Sequence, residues 1–444
     1  MYYKLISYQK QSYKGKSYFF IWLAITNLML LLSVNYASLC QNVVNNGDNI
    51  VITNGANLFI SGNYTNFSSN GDGKIDLDGK IIINKNWINN ATGNVFTNVE
   101  PIPDGYVVLR GALPQFIGGS YSTHFENLSL ENSQKTLQET NCEVKGILTL
   151  DAVLDLNKKK IILNNNSPTA INYISKYILS ESSPLDNYSE VQWNIGSSAN
   201  TYKVPFGSGT TNNNDLELVL STRTSGHPSS GSISFATYPA DCYNDVLPTD
   251  VISLNHDASA VANRYWIINP DYSISKPDID IVFQYTTKDV DTCNQNIIQE
   301  NLKAIRYNTS LMTWNDMHSS GQANVNSKTV SVRNVMQNDF YAPWTLIDDE
   351  SFLYVPNAFT PNDDNKNDFF GPVGIDLVKY TFAMRIFDRW GNMIFKTENI
   401  NLLWNGKPTG SDKFATNGVY IWKITLSDGY NNERNYNGTV TLLR

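Results

Sequence analysis

The segment Asn362–Asp368 gathers three carboxylates (Asp363, Asp364, Asp368) and three side-chain amides (Asn362, Asn365, Asn367) into seven residues. Hard oxygen donors at that spacing are what calcium takes. The candidate ligands are Asp363, Asp364, Asn365, Asn367 and Asp368. The competing reading is an Asx-rich turn that satisfies its own backbone. A second stretch, Ser68-x-Asn70-x-Asp72-Gly73-x-Ile75-Asp76, mimics the middle of an EF-hand loop. Its first position is Ser and its twelfth is Gly79, so the bidentate Glu is missing and a turn between strands is expected there.

Other chemistry is sparse. His124, His227, His256 and His318 stand far apart, with no His-x-x-x-His or Glu-adjacent spacing. No Gly-x-Ser-x-Gly, phosphate-binding loop or dinucleotide fingerprint occurs. Carboxylates are numerous, so a glycosidase pair could be picked by hand, but such a pick means little without geometry. No catalytic residue is assigned, no cofactor beyond calcium is expected, and a non-enzyme is the leading expectation. Three cysteines follow residue 40: Cys142, Cys242 and Cys293. Cys242 and Cys293 are the one pair considered for a disulfide; the competing reading makes all three small buried apolar residues.

The N-terminal 40 residues have the layout of a secretory signal peptide: Lys4, Lys10, Lys14 and Lys16, an apolar run from Tyr18 to Val34, then small residues around Ala37 and Ser38. Cleavage is expected after Ala37 or after Cys40. Removing those residues leaves 29 basic and 41 acidic side chains. An acidic chain without a basic cluster argues against nucleic acid as a partner.

The elements that would carry any site are strands. Aromatic and β-branched residues separated by Asn, Gly, Ser and Asp predict an all-β chain. From 41 to 166, short runs such as Lys80-Ile81-Ile82-Ile83 and Ile147-Leu148-Thr149-Leu150 recur every ten to twenty residues, the pattern of a β-solenoid-like region. From 167 to 348 the runs lengthen and aromatics crowd, as in Arg264-Tyr265-Trp266-Ile267-Ile268, which predicts an antiparallel β-sandwich. Asp348-Asp349-Glu350 reads as an acidic hinge. The block 351–444 reads as a small β-sandwich with Trp390, Trp404 and Trp422 in its core.

Ordered words run through that block: Pro356, Asn357, Phe359, Pro361 and Asn362; then Arg389, Trp390 and Gly391; then Trp404 and Gly406; then Gly418, Tyr420, Gly438 and the last residue, Arg444. In this order they resemble the gliding motility-associated C-terminal domain, the small Ig-like type B sorting domain of the type IX secretion system of Bacteroidota. The resemblance covers 352–444. Asp363-Asp364-Asn365-Lys366-Asn367-Asp368 stands where the family usually has Gly-Asp-Gly-x-Asn-Asp, and Trp404-Asn405-Gly406 replaces its Trp-Asp-Gly. The earlier regions resemble β-rich surface proteins of the same bacteria, including their β-helical stretches. The resemblance implies export to the cell surface or the extracellular space, with the type IX outer-membrane machinery as partner. The passenger is expected to be adhesive or structural, with extracellular glycans or surfaces as partners. The alternative is an extracellular polysaccharide-degrading enzyme with its site in the solenoid or middle domain.

Overall fold

The structure is a computed structural model. It describes residues 41–444 except 70, 72, 98–103, 181–188, 210–212, 229–230, 241–260, 292–296, 309–311, 317–321, 340–342, 349–352, 365, 375–380 and 428–432. Residues 1–40, with the expected signal peptide, and Cys242, Cys293, His256 and His318 therefore lie outside the described residues. By contacts the chain divides into two units. One comprises Met1–Pro239, Trp266–Thr286 and Asn334–Ala342. The other comprises Ala240–Tyr265, Thr287–Arg333 and Pro343–Arg444.

The fold is nearly all β, and the first unit opens with a β-solenoid of about 6 turns. One wall is a seven-stranded parallel sheet from Val43–Asn46 through Tyr64–Phe67, Trp87–Asn90, Gln115–Gly118, Lys135–Leu137 and Leu154–Asp155 to Ile178–Leu179. A second wall stacks Asn57–Ile60, Lys80–Ile83, Tyr106–Leu109, Asn127–Glu131, Leu148–Asp151 and Ile171–Tyr173. A third contains Thr123–Phe125, Cys142–Val144, Lys160–Leu163 and Glu190–Trp193.

Inward positions along the strands become stacks between rungs. On the second wall Ile60, Ile83, Leu109, Leu130 and Leu150 are successive register partners, and all five are buried. Each side chain removes apolar surface from water against its copy above and below, worth about 25 cal/mol per Å². Parallel pairing of identical positions thus builds one continuous core out of rungs that could not be stable alone.

The abundant asparagines have two structural uses. Asn45, Asn66 and Asn89 are register partners inside the coil and are buried. Asn66 Nδ2 donates to Gly73 O at 3.1 Å, and Asn89 Nδ2 donates to Ser122 O at 3.0 Å. At a corner, Asn42 Oδ1 accepts from Asn63 N (2.9 Å), Asn63 Oδ1 from Asn86 N (3.0 Å), and Asn86 Oδ1 from Phe116 N (2.9 Å). A side-chain oxygen here takes a backbone N–H that the bend would otherwise leave unpaired. Gly119 turns another corner at φ +116°, where an added Cβ would lie 2.3 Å from Asn89 O.

Parallel rungs continue past Asn166 to Glu190–Trp193. That last strand pairs parallel with Lys160–Leu163 on one side and antiparallel with Ser232–Pro239 on the other. One wall of the solenoid therefore runs into antiparallel structure without a break. A further antiparallel set, Thr201–Val204, Leu218–Thr222 and Ile279–Gln284, completes this part. Trp193 meets Tyr202 at 5.0 Å and Trp266 meets Phe283 at 5.2 Å between ring centroids.

In the second unit, Leu302–Asn308 lies between Thr313–Asp316 and Trp344–Asp348. Arg264 Nε and Asp289 Oδ1 form an ion pair at 3.0 Å with both side chains buried. Asp348 is no hinge residue: it ends a strand, is buried, and accepts Ile298 N at 2.8 Å. Asp349 and Glu350 lie outside the described residues.

The terminal block forms a five-stranded sheet in the order Ala358–Phe359, Glu433–Leu442, Gly418–Ser427, Thr381–Phe387, Met393–Thr397. Leu353–Tyr354 pairs antiparallel with Val373–Gly374 beside it. Among the described residues no helix is long and apolar enough to cross a membrane.

Candidate functional site

The terminal sheet is two-faced because its longest strand alternates. Tyr420, Trp422, Ile424 and Leu426 point inward; Val419, Ile421 and Lys423 point to solvent. The inner face joins Phe359, Phe370, Phe382, Met384, Ile386, Trp404, Val440 and Leu442 in one core.

Trp404 is the centre of that core. It is fully buried, 5.0 Å from the Phe359 ring and 5.2 Å from Tyr420 at near right angles. Its backbone exchanges two 2.8 Å hydrogen bonds with Phe370, and its Nε1 donates to Lys407 O at 2.9 Å. Tyr420 donates its hydroxyl to Thr416 O at 2.6 Å. Gly406 holds φ +82°, and a Cβ there would lie 2.9 Å from Pro361 Cγ and 3.1 Å from Leu442 Cδ1. Phe359, Pro361, Trp404, Gly406 and Tyr420 are thereby one packed cluster.

Other motif residues are placed at the sheet's margin. Pro356 is half-buried, while Asn357 is exposed and accepts Thr441 N through its carbonyl at 2.8 Å, setting the first strand on the last. Gly438 faces Trp422 across the sheet, whereas Gly418 opens its strand in free space. The Arg444 guanidinium sits 4.6 Å from the Phe414 ring centroid, and Arg444 O accepts from Asn417 Nδ2 at 3.2 Å.

Trp390 corrects the sequence expectation: it is 78% exposed, not in the core. The cause is the turn it occupies. Asp388 accepts Trp390 N at 2.8 Å and Asn392 N at 2.9 Å on one carboxylate oxygen, and Asn392 Nδ2 at 2.9 Å on the other. The Asn392 side-chain bond leads in holding the Asp388 carboxyl below its usual range, with the backbone bonds adding to it. That loop closure swings Arg389, Trp390 and Gly391 past the sheet edge, with the Arg389 guanidinium 5.4 Å from the Trp390 ring.

The acidic loop satisfies itself. Asp368 Oδ1 accepts Asn362 N at 2.9 Å and Asp363 N at 2.8 Å, and Asp364 Oδ1 accepts Lys366 N at 2.8 Å. Asp363 and Asn367 adopt positive φ (63° and 52°), as Asx turns permit. Asn365 lies outside the described residues. Asn70 and Asp72 of the EF-hand-like stretch also lie outside them; the stretch begins just after the strand Tyr64–Phe67 and ends within the strand Lys74–Leu77. Among the described residues no group of three His, Cys, Asp or Glu side chains is arranged to hold a metal ion.

Two buried charges in the solenoid were not singled out from the sequence. Glu126 is buried, and that burial pushes its carboxyl up to about 7; Lys145 opposes the shift while Asp78 and Asp76 add to it. Lys135 is buried with its Nζ donating to Glu131 O at 2.7 Å and to Ser133 O. Burial brings its ammonium down to about 8. Lys135 is placed by rung register, opposite Gln115 and Leu154, and Glu126 by the bend between Thr123–Phe125 and Asn127–Glu131; neither can be read from one strand alone.

Residues 353–442 match the family described as CHU_C Type IX secretion signal domain. No curated protein matches the chain. A type IX C-terminal signal means export to the cell surface or extracellular space and interaction with the type IX secretion machinery.

Proposed function

We propose that residues 353–442 are read by the type IX machinery as a folded domain, and that the solenoid and antiparallel sheets are a non-catalytic passenger with an adhesive or structural role. One observation carries the first half. Phe359, Trp404 and Tyr420 are buried in one cluster, so these words of the motif serve the fold. Recognition then falls to the surface that this fold displays. Deleting residues 353–444 should leave the passenger in the periplasm; normal surface display of the truncated chain would contradict the proposal.

The second half rests on the solenoid being filled with apolar stacks and asparagine ladders. The competing reading is a polysaccharide-cleaving enzyme, and Glu126 is the observation in its favour. A carboxyl raised to about 7 by burial, with Asp78 and Asp76 adding to the shift, resembles a general acid. Yet Glu126 is only 1% exposed, which withholds it from a polymer. Reducing ends released from a polysaccharide panel by the purified full chain would favour the enzyme; binding without release would favour the adhesive passenger.

A further inference from the structure

The outer face of the terminal sheet carries charge in an arrangement that costs stability. Lys396, Arg385 and Lys423 are register partners on three adjacent strands, Met393–Thr397, Thr381–Phe387 and Gly418–Ser427. All three lie on the side opposite the core, since Met384, Ile386, Trp422 and Ile424 next to them point inward. Like charges directly opposite one another on neighbouring strands repel at about 5 Å between Cβ atoms. Glu398 reaches Lys396 at 3.5 Å, but no carboxylate among the described residues pairs with Arg385 or Lys423.

Beside this row runs an apolar one. Met393, Phe387 and Ile421 are register partners, with Val419 two residues before Ile421 on the same face. Val419 is 55%, Met393 52% and Ile421 42% exposed. The fourth strand continues both rows with uncharged polar residues, Asn437 opposite Lys423 and Thr439 opposite Ile421. The block's charge also departs from the rest of the chain. Residues 353–444 hold ten basic and nine acidic side chains, whereas residues 41–352 hold nineteen and thirty-two.

We infer that this outer face, Lys396–Arg385–Lys423 with Met393–Phe387–Ile421, is the surface by which the terminal domain docks on an acidic protein surface of the export apparatus. The inference rests on the export reading above and gives it a site. Arg385 and Lys423 have no carboxylate partner among the described residues, Lys423 lying 5.9 Å from the Phe387 ring centroid, so they call for carboxylates opposite; the flanking apolar row supplies area that excludes water around them. A sheet face bordered by Asn437 and Thr439 suits a protein surface. A bilayer would call for a protruding apolar wedge or an amphipathic helix.

The test is charge reversal in the full-length protein, in cells with a working type IX system. The double variant Arg385→Glu/Lys423→Glu should lower surface display by about tenfold or more and leave a folded, protease-resistant chain in the periplasm. The conservative pair Arg385→Lys/Lys423→Arg should stay within about twofold of the parent. Deletion of 353–444 runs in parallel. If deletion abolishes display but charge reversal does not, the docking face is wrong and the export reading stands. If deletion leaves display intact, the export reading falls first. Two further arms use the purified full-length protein. Binding of the parent but not the reversed variant to vesicles of phosphatidylglycerol would assign the face to lipid and overturn the inference. A large drop in the unfolding temperature on charge reversal would mean that this chain's own fold uses the row, and would overturn it as well.

Discussion

Trp422 and Gly438 stand opposite each other on the two longest strands of the terminal sheet, and the indole ring occupies the space a side chain at 438 would need. A Cβ on Gly438 would lie 2.5 Å from Trp422 Cζ2. Glycine in a strand costs backbone entropy and contributes no packing. Here that loss is offset by the indole that covers it.

Gly438→Val should therefore force the ring or the strand to move. The expected loss is about 1–3 kcal/mol, typical of overpacking. Chemical denaturation of the full-length protein, followed by tryptophan fluorescence, checks it. Unchanged stability would mean the Trp422 ring has another place to go.

The three tryptophans of the block should behave differently. Trp404→Ala removes a fully buried ring and its bond to Lys407 O, for an expected loss of about 3–5 kcal/mol. Trp390→Ala should change stability by less than about 0.5 kcal/mol, since the ring lies in solvent on a turn held by Asp388. Equal losses in the two variants would contradict the placement of Trp390.

Glu126 predicts a pH dependence. Its carboxyl sits near 7 in the folded chain against an ordinary 4.5, so the folded state binds the proton more tightly. Stability from this group is full below about 4.5 and falls as pH rises through about 7. Glu126→Gln should then match the parent near pH 4 and exceed it at pH 8, by on the order of 2 kcal/mol. Denaturant midpoints across that range give the answer, and a variant less stable than the parent at pH 8 would contradict it.

The acidic loop makes a separate prediction. With Asp368 and Asp364 already accepting backbone N–H groups, millimolar calcium should leave the melting temperature unchanged. Asp368→Ala should cost about 1–3 kcal/mol by stranding Asn362 N and Asp363 N. A calcium-dependent rise in melting temperature that disappears in Asp363→Asn/Asp364→Asn would instead make the loop a cation site.

Much of the architecture was legible because it is local. Leu148–Asp151 alternates, Lys80–Ile83 is a short apolar run, and Asn or Gly marks the corners, so strands and a solenoid follow from pattern and punctuation. Pairing between distant strands is less legible. Ile171–Tyr173 and Glu190–Trp193 continue the rungs beyond residue 166, although the texture of the chain had already changed. The Lys396–Arg385–Lys423 row exists only once three strands are in register. Trp390 was misplaced because an aromatic beside a strand reads as core until the Asp388 turn shows which way the chain bends.

The terminal domain directs this chain out of the cell through the type IX system. The most direct measurement is the ratio of surface to periplasmic protein for the full-length chain, in otherwise identical cells with and without a functional type IX system. The chain should be found mostly at the surface or in the medium in the first cells, and mostly in the periplasm in the second. The same ratio in both would contradict it.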